Sequence, residues 1–157
     1  ANWCYLNSVL QCLKHTTELT SAVIKEKTTY QLNTANRYCE VTQQLRKFLV
    51  SDTKANQDIA LNYIRKRLLT LDKKFDGNTQ QDAVEVCELL LQGMCSAYET
   101  QCPASDVMEY AFQAEIRCTN CGATRNTVPE HELIAKLAVP NTHTARCMRS
   151  MRQLSRY

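Results

Sequence analysis

Asn2-Trp3-Cys4-Tyr5-Leu6-Asn7-Ser8-Val9-Leu10-Gln11-Cys12-Leu13 is the stretch on which the reading of this chain turns. Leu6, Val9, Leu10 and Leu13 recur at i, i+3, i+4 and i+7, the spacing of one helix face. The segment therefore predicts an amphipathic helix with Cys4 directly before it. A thiol at that place lies near the positive end of the helix macrodipole, which favours an anion. The thiolate is the nucleophilic form of cysteine, so Cys4 is a candidate nucleophile. Cys12 lies along the body of the same helix and lacks that advantage. The bland alternative is that Cys4 is a structural or incidental thiol.

Working outward, the same logic finds three further helical segments. Val41, Leu45, Phe48 and Leu49 form one face, and Ile59, Ala60, Tyr63, Ile64 and Leu68 another. The strongest is Ala83, Val86, Cys87, Leu90, Leu91 and Met94, after the turn Asp76-Gly77-Asn78-Thr79, with Thr79 or Asn78 predicted as its cap. Gln80-Gln81-Asp82-Ala83-Val84-Glu85 opens that helix. Asp82 and Glu85 are three apart, so both carboxylates project from its first turn, where the dipole stabilises them.

The texture changes after Gln101-Cys102-Pro103. From Val107 to Cys118 the residues alternate, with Phe112, Ala114 and Ile116 on one side, which predicts a strand. Leu133 to Val139, ended by Pro140, is a second and weaker strand candidate. Cys118-Thr119-Asn120-Cys121-Gly122 is a CxxC knuckle, two thiolates spaced to share one tetrahedral zinc. One such pair is half a site. Cys118, Cys121, His143 and Cys147 together have the spacing of a closed site, a rival completion within the chain. Arg146, Arg149, Arg152 and Arg156 near the end read as a solvated basic face.

The composition is globular, with 44% hydrophobic and 22% charged residues. A net charge of +3 is too small to point to nucleic acid, and no apolar run reaches membrane-spanning length. Nine cysteines, an odd number partly within helical patterns, fit reduced thiols in the cytoplasm or nucleus better than a secreted disulfide framework. Ala1 in place of Met, with Cys4 so near it, reads as an excerpt from a longer product.

Residues 2–13 closely resemble the cysteine box of ubiquitin-specific proteases, Gly-Asn-Thr-Cys-Tyr-(Leu/Met)-Asn-Ser-(Val/Leu)-Leu-Gln-X-Leu, with Ala1 and Trp3 as the departures. Residues 80–86 resemble the family's second signature, Gln-Gln-Asp-Ala-(His/Gln)-Glu-(Phe/Leu), with Val84 and Val86 departing. Phe112 with Ala114 is similar to its Phe-X-Gly strand, and Glu130 to Pro140 to its Glu…Leu-X-Leu-X-(Ile/Val)-Pro strand.

The resemblance implies an α+β, papain-like fold. Residues 1–105 would form a mostly helical thumb, and residues 106–157 the strand-containing start of a fingers subdomain. It implies a deubiquitinating cysteine protease acting on ubiquitin and ubiquitinated proteins, with Cys4 as catalytic nucleophile. Gln81, Asp82 and Glu85 would receive the Arg-bearing ubiquitin tail. Cys118 and Cys121 would hold a structural zinc, with no cofactor needed for catalysis. The family's catalytic His stands in a Gly-His-Tyr context, which His15, His131 and His143 all lack. Its oxyanion Asn stands five residues before the nucleophile, and only three residues precede Cys4. The expectation is therefore a fragment inactive by itself. Two alternatives stay open: a ubiquitin-binding pseudoenzyme, and a zinc-stabilised interaction domain.

Overall fold

The computed structural model describes residues 2–25 and 31–134. In chain order they form α1 (Cys4–His15), α2 (Thr17–Lys25), α3 (Cys39–Val50), α4 (Lys54–Leu71), a 3-10 turn (Lys73–Phe75), α5 (Ala83–Ala97) and α6 (Pro103–Met108). Four short strands follow: β1 (Tyr110–Phe112), β2 (Glu115–Arg117), β3 (Thr124–Asn126) and β4 (Glu130–Glu132).

The helices share one core because each buries the stripe its sequence supplies. On α1, Leu6 and Leu10 are sealed from solvent beside Val9 and Leu13. Burying such a side chain contributes about 1.5–3 kcal/mol. From α3 come Val41, Leu45, Phe48 and Leu49, and from α5 Val86, Leu90, Leu91 and Met94. Helix α5 packs on both α1 and α3, and α3 also packs on α4. Helix α2, which the periodicity does not single out, seats Leu19 and Val23 against this core and packs on α6.

The reading of α4 is too wide. Ala60, Ile64 and Leu68 are buried, whereas Ile59 and Tyr63 face solvent. An i, i+4, i+8 stripe suffices because α4 covers the core from one side only. The reading of residues 107–118 as one strand also needs correction. Val107 belongs to α6, which Pro103 starts from its first position, where a missing N–H costs nothing. The extended segment begins only at Tyr110 and breaks at Gln113-Ala114 into β1 and β2, which pair in different ladders, so Phe112 and Ile116 share no strand. Of the second strand candidate, Leu133 and Ile134 follow β4, and residues 135–139 lie outside the described residues.

The strands form a doubled arm. β1 pairs antiparallel with β4, Ala111 opposite His131, and inside that pair β2 runs antiparallel to β3, Ile116 opposite Arg125. Strand β3 carries no alternating apolar signal because both of its faces are exposed.

Candidate active site

Cys4 is the first residue of α1, and its exposure follows from its neighbours. Tyr5 and Leu6 are buried, which fixes how the helix begins and turns the preceding side chain outward. Trp3 caps the helix by position but makes no side-chain cap bond; the Asn7 N–H donates to its carbonyl at 3.0 Å. The Ser8 hydroxyl donates to the Cys4 carbonyl at 2.9 Å.

An aromatic and cationic brace surrounds this first turn. The Trp3 and Tyr5 ring centroids lie 6.0 Å apart, and Tyr5 lies 6.2 Å from Phe75 of the 3-10 turn. Arg65 of α4 sits over Trp3 at 5.5 Å and donates to the Asn7 side-chain oxygen at 3.2 Å. The Tyr5 hydroxyl is buried and has no hydrogen-bond partner among the described residues. Burial first, then the nearby Asp76 carboxylate and Cys4, push its pKa above the ordinary phenol value.

The loop that leads into α5 is joined directly to this segment. The Asn2 N–H donates to the Gly77 carbonyl, and the Asn2 amide reaches the Asn78 carbonyl at 3.5 Å. Gly77 has φ +78, and a Cβ on it would stand 2.6 Å from the Trp3 ring. Only glycine accepts both that backbone and that contact. Asp76 shapes the turn by accepting from the Asn78 backbone at 2.8 Å and side chain at 2.9 Å. Those bonds hold its carboxyl below the usual range.

The cap of α5 is Asp82, whose oxygen accepts from the Val84 N–H at 2.7 Å, and not Thr79 or Asn78. The helix accordingly starts at Ala83 rather than Gln80. Thr79 instead accepts from the Gln81 amide at 2.6 Å. Glu85, in the first turn of α5, meets the Lys74 ammonium at 2.8 Å. That bond to Glu85 raises the Lys74 pKa. Gln81 and Asp82 thus lie in the lead-in stitched to the Cys4 segment, and Glu85 in the first helical turn after it. Lys74, Arg65 and the Trp3–Gly77 contact escape sequence reading; the Asp76-Gly77 turn is the one local signal that marks them.

Neither described histidine stands beside Cys4. His15 Nδ1 pairs with the Gln11 carbonyl at 2.8 Å, at the far end of α1. At 1.5 Å rise per residue that end is about 17 Å from Cys4. His131 Nδ1 pairs with Glu109 at 2.8 Å, on β4. His143 lies outside the described residues.

Cys118 and Cys121 stand at the far tip of the arm, both exposed. The Cys118 N–H donates to the Ala123 carbonyl at 2.8 Å, and the Gly122 N–H to the Cys118 carbonyl at 2.9 Å, with Gly122 at φ +72. N–H groups of Cys121 and Asn120 directed at the Cys118 sulfur, with the Cys121 thiol, draw its pKa below the ordinary thiol value. A closed turn with two accessible sulfurs fits half of a tetrahedral zinc set. Among the described residues no third His, Cys, Asp or Glu joins them. His143 and Cys147 of the rival set lie outside the described residues, as does the Arg146–Tyr157 stretch. No described helix is long and apolar enough to cross a membrane.

The family model for ubiquitin carboxyl-terminal hydrolase matches residues 1–153. Among solved structures, the chain is similar to one in the SAGA Ubp8/Sgf11/Sus1/Sgf73 DUB module bound to ubiquitin aldehyde. That match has a TM-score of 0.68 and 18% identity, over 85% of this chain and 32% of the other. A variant of the same module bound to monoubiquitin matches with a TM-score of 0.69 and 17% identity, over 85% and 33%. The likeness shows the fold: papain-like, mostly helical, with a few short antiparallel strands. The chain spans about a third of the length of the structures it matches.

Proposed function

The chain belongs to the ubiquitin carboxyl-terminal hydrolase family, and from that premise we propose that it carries the nucleophile-bearing part of a cysteine-type deubiquitinase. The carrying observation is an exposed Cys4 sulfur at the first residue of a helix whose remaining turns are anchored in the core. The Cys4 sulfur attacks the carbonyl of the ubiquitin C-terminal glycine and releases the substrate amine. Water then cleaves the resulting thioester and regenerates the thiol. The base that activates Cys4 is supplied from outside the described residues, since His15 and His131 are engaged elsewhere. Ubiquitin is the partner, its tail lying past Gln81, Asp82 and Glu85, where carboxylates complement arginine. Residues 1–105 serve as the thumb and residues 106–157 as the start of the fingers. Cys118 and Cys121 supply two thiolates to a zinc that is structural only. The protein works inside the cell.

Ubiquitin carrying a thiol-reactive electrophile at its C-terminus tests this directly. Reaction with a chain that spans the full length of the structures it matches should place one adduct on Cys4, mapped by mass spectrometry and lost in Cys4→Ser. Labelling at another cysteine, with Cys4 unmodified, overturns the nucleophile assignment. The 157-residue chain should hydrolyse a ubiquitin–fluorophore amide no faster than its Cys4→Ser variant. A binding-only role is the second reading, favoured by the absence of a described histidine at Cys4. Tight ubiquitin binding by that full-length chain without any Cys4 adduct selects it.

A further inference from the structure

Along the outer face of α5 runs an open groove of about 470 Å³. Glu85, Glu88, Gln92 and Ser96 line one wall, Tyr38 faces them, and Lys74 stands with Glu85. Spacings of three and four residues put those α5 side chains on one stripe. Lys74 is not there by accident of a long side chain. Its backbone N–H donates to Asp72 Oδ1 at 3.0 Å, which fixes its place in the turn after α4. Its ammonium lies 5.0 Å over the Phe75 ring, 3.7 Å from Asp72 and 2.8 Å from Glu85. Lys74 and Glu85 are both partly open to water, 42% and 49% exposed, so the pair can be reached and exchanged.

We infer that Lys74 is a resident stand-in for a substrate guanidinium, occupying Glu85 in the free protein and setting the affinity of the site for an arginine-bearing tail. The inference rests on the proposed role of Glu85 as a receiver of that tail. A carboxylate in the first turn of a helix is already stabilised by the dipole, so Glu85 needs no lysine for its charge to be tolerated. What Lys74 does is fill the acceptor. A lysine ammonium is a point donor, whereas a guanidinium offers a planar fork that matches both carboxylate oxygens. An incoming arginine therefore displaces Lys74 by making two parallel bonds where one stood. Every binding event first breaks the internal pair, so the wild-type site is weaker than its acid content alone would make it.

Isothermal titration of the 157-residue chain with ubiquitin tests this, using Lys74→Met and Lys74→Gln so that one variant guards against the peculiarities of the other. Both should bind about two- to fivefold tighter than wild type, the scale of one exposed ion pair. The gain should vanish in the Glu85→Gln background and with ubiquitin whose tail arginines are alanine. Unchanged or weaker binding by the Lys74 variants, with Glu85→Gln still weakening binding, overturns the inference and leaves the Glu85 reading standing. Glu85→Gln binding as wild type does, or no ubiquitin binding by any form, removes the Glu85 reading and the inference with it.

Discussion

The helical body and the strand arm are made by the same chain under opposite conditions. In the body, α1, α3, α4 and α5 each give a stripe to one shared core, and Leu6, Leu10, Ile64 and Leu90 are essentially without solvent contact. In the arm, β2, β3 and β4 bury nothing, and Ile116 and Val128 stand 59% and 81% exposed. The body is held by side chains, the arm by backbone ladders and tight turns. A two-stranded ribbon with no apolar face is marginal in water by itself. The difference teaches how differently the cysteines are held: Cys4 grows from the packed body, while Cys118 and Cys121 sit at the end of the arm.

Core truncation should separate the two regions most sharply. Leu90→Ala is expected to cost about 2–5 kcal/mol by denaturant unfolding of the helical signal, while Ile116→Ala stays within about 0.5 kcal/mol. Equal costs would mean that the arm has a core of its own. Thiol chemistry gives the next contrast. Burial, aided by the nearby Cys12 and Glu88, pushes Cys87 in the body up to about 11 from an ordinary 9.0. A raised thiol pKa leaves less thiolate, so at pH 8 Cys87 should alkylate about a hundredfold more slowly than an ordinary exposed thiol. Cys118 should be the faster of the two, and mass spectrometry of iodoacetamide-treated protein reads the order. Closer to the site, Gly77→Ala should destabilise the body by about 1–3 kcal/mol, through a positive φ and collision with Trp3. Trp3→Thr in the same chain should recover part of that cost, and its failure to do so would place the strain in the backbone alone. Loss of the α5 cap in Asp82→Ala should be smaller, about 1 kcal/mol by thermal melting.

How much of this was legible in the sequence follows the same division. The buried faces of α1, α3 and α5 were readable because a helix writes its burial every three or four residues, and here burial was one-sided. Width was harder: Ile59 and Tyr63 carry the apolar character of a core position on a helix that turns them outward. The start of α5 was misplaced because Asn78, Thr79 and Asp82 can each cap within one polar run, and only the fold selects Asp82. In the arm, exposure on both faces removes the alternation that marks a strand, so β3 was invisible and the start of β1 was blurred into α6. The place of Cys4 at the opening of α1 was readable from its own twelve residues. The pairing of Asn2 with Gly77 and of Lys74 with Glu85 was not, because neither partner's identity dictates the other across the intervening chain.

The seat of Trp3 upon Gly77 makes two distant positions behave as one inherited unit. Randomising position 77 alone should return glycine almost every time, whereas a library that also opens position 3 should return larger residues at 77 wherever a small one replaces the indole. Any redesign of the helix bearing Cys4 must therefore be drafted together with a turn some seventy positions downstream, as a lock is cut with its key.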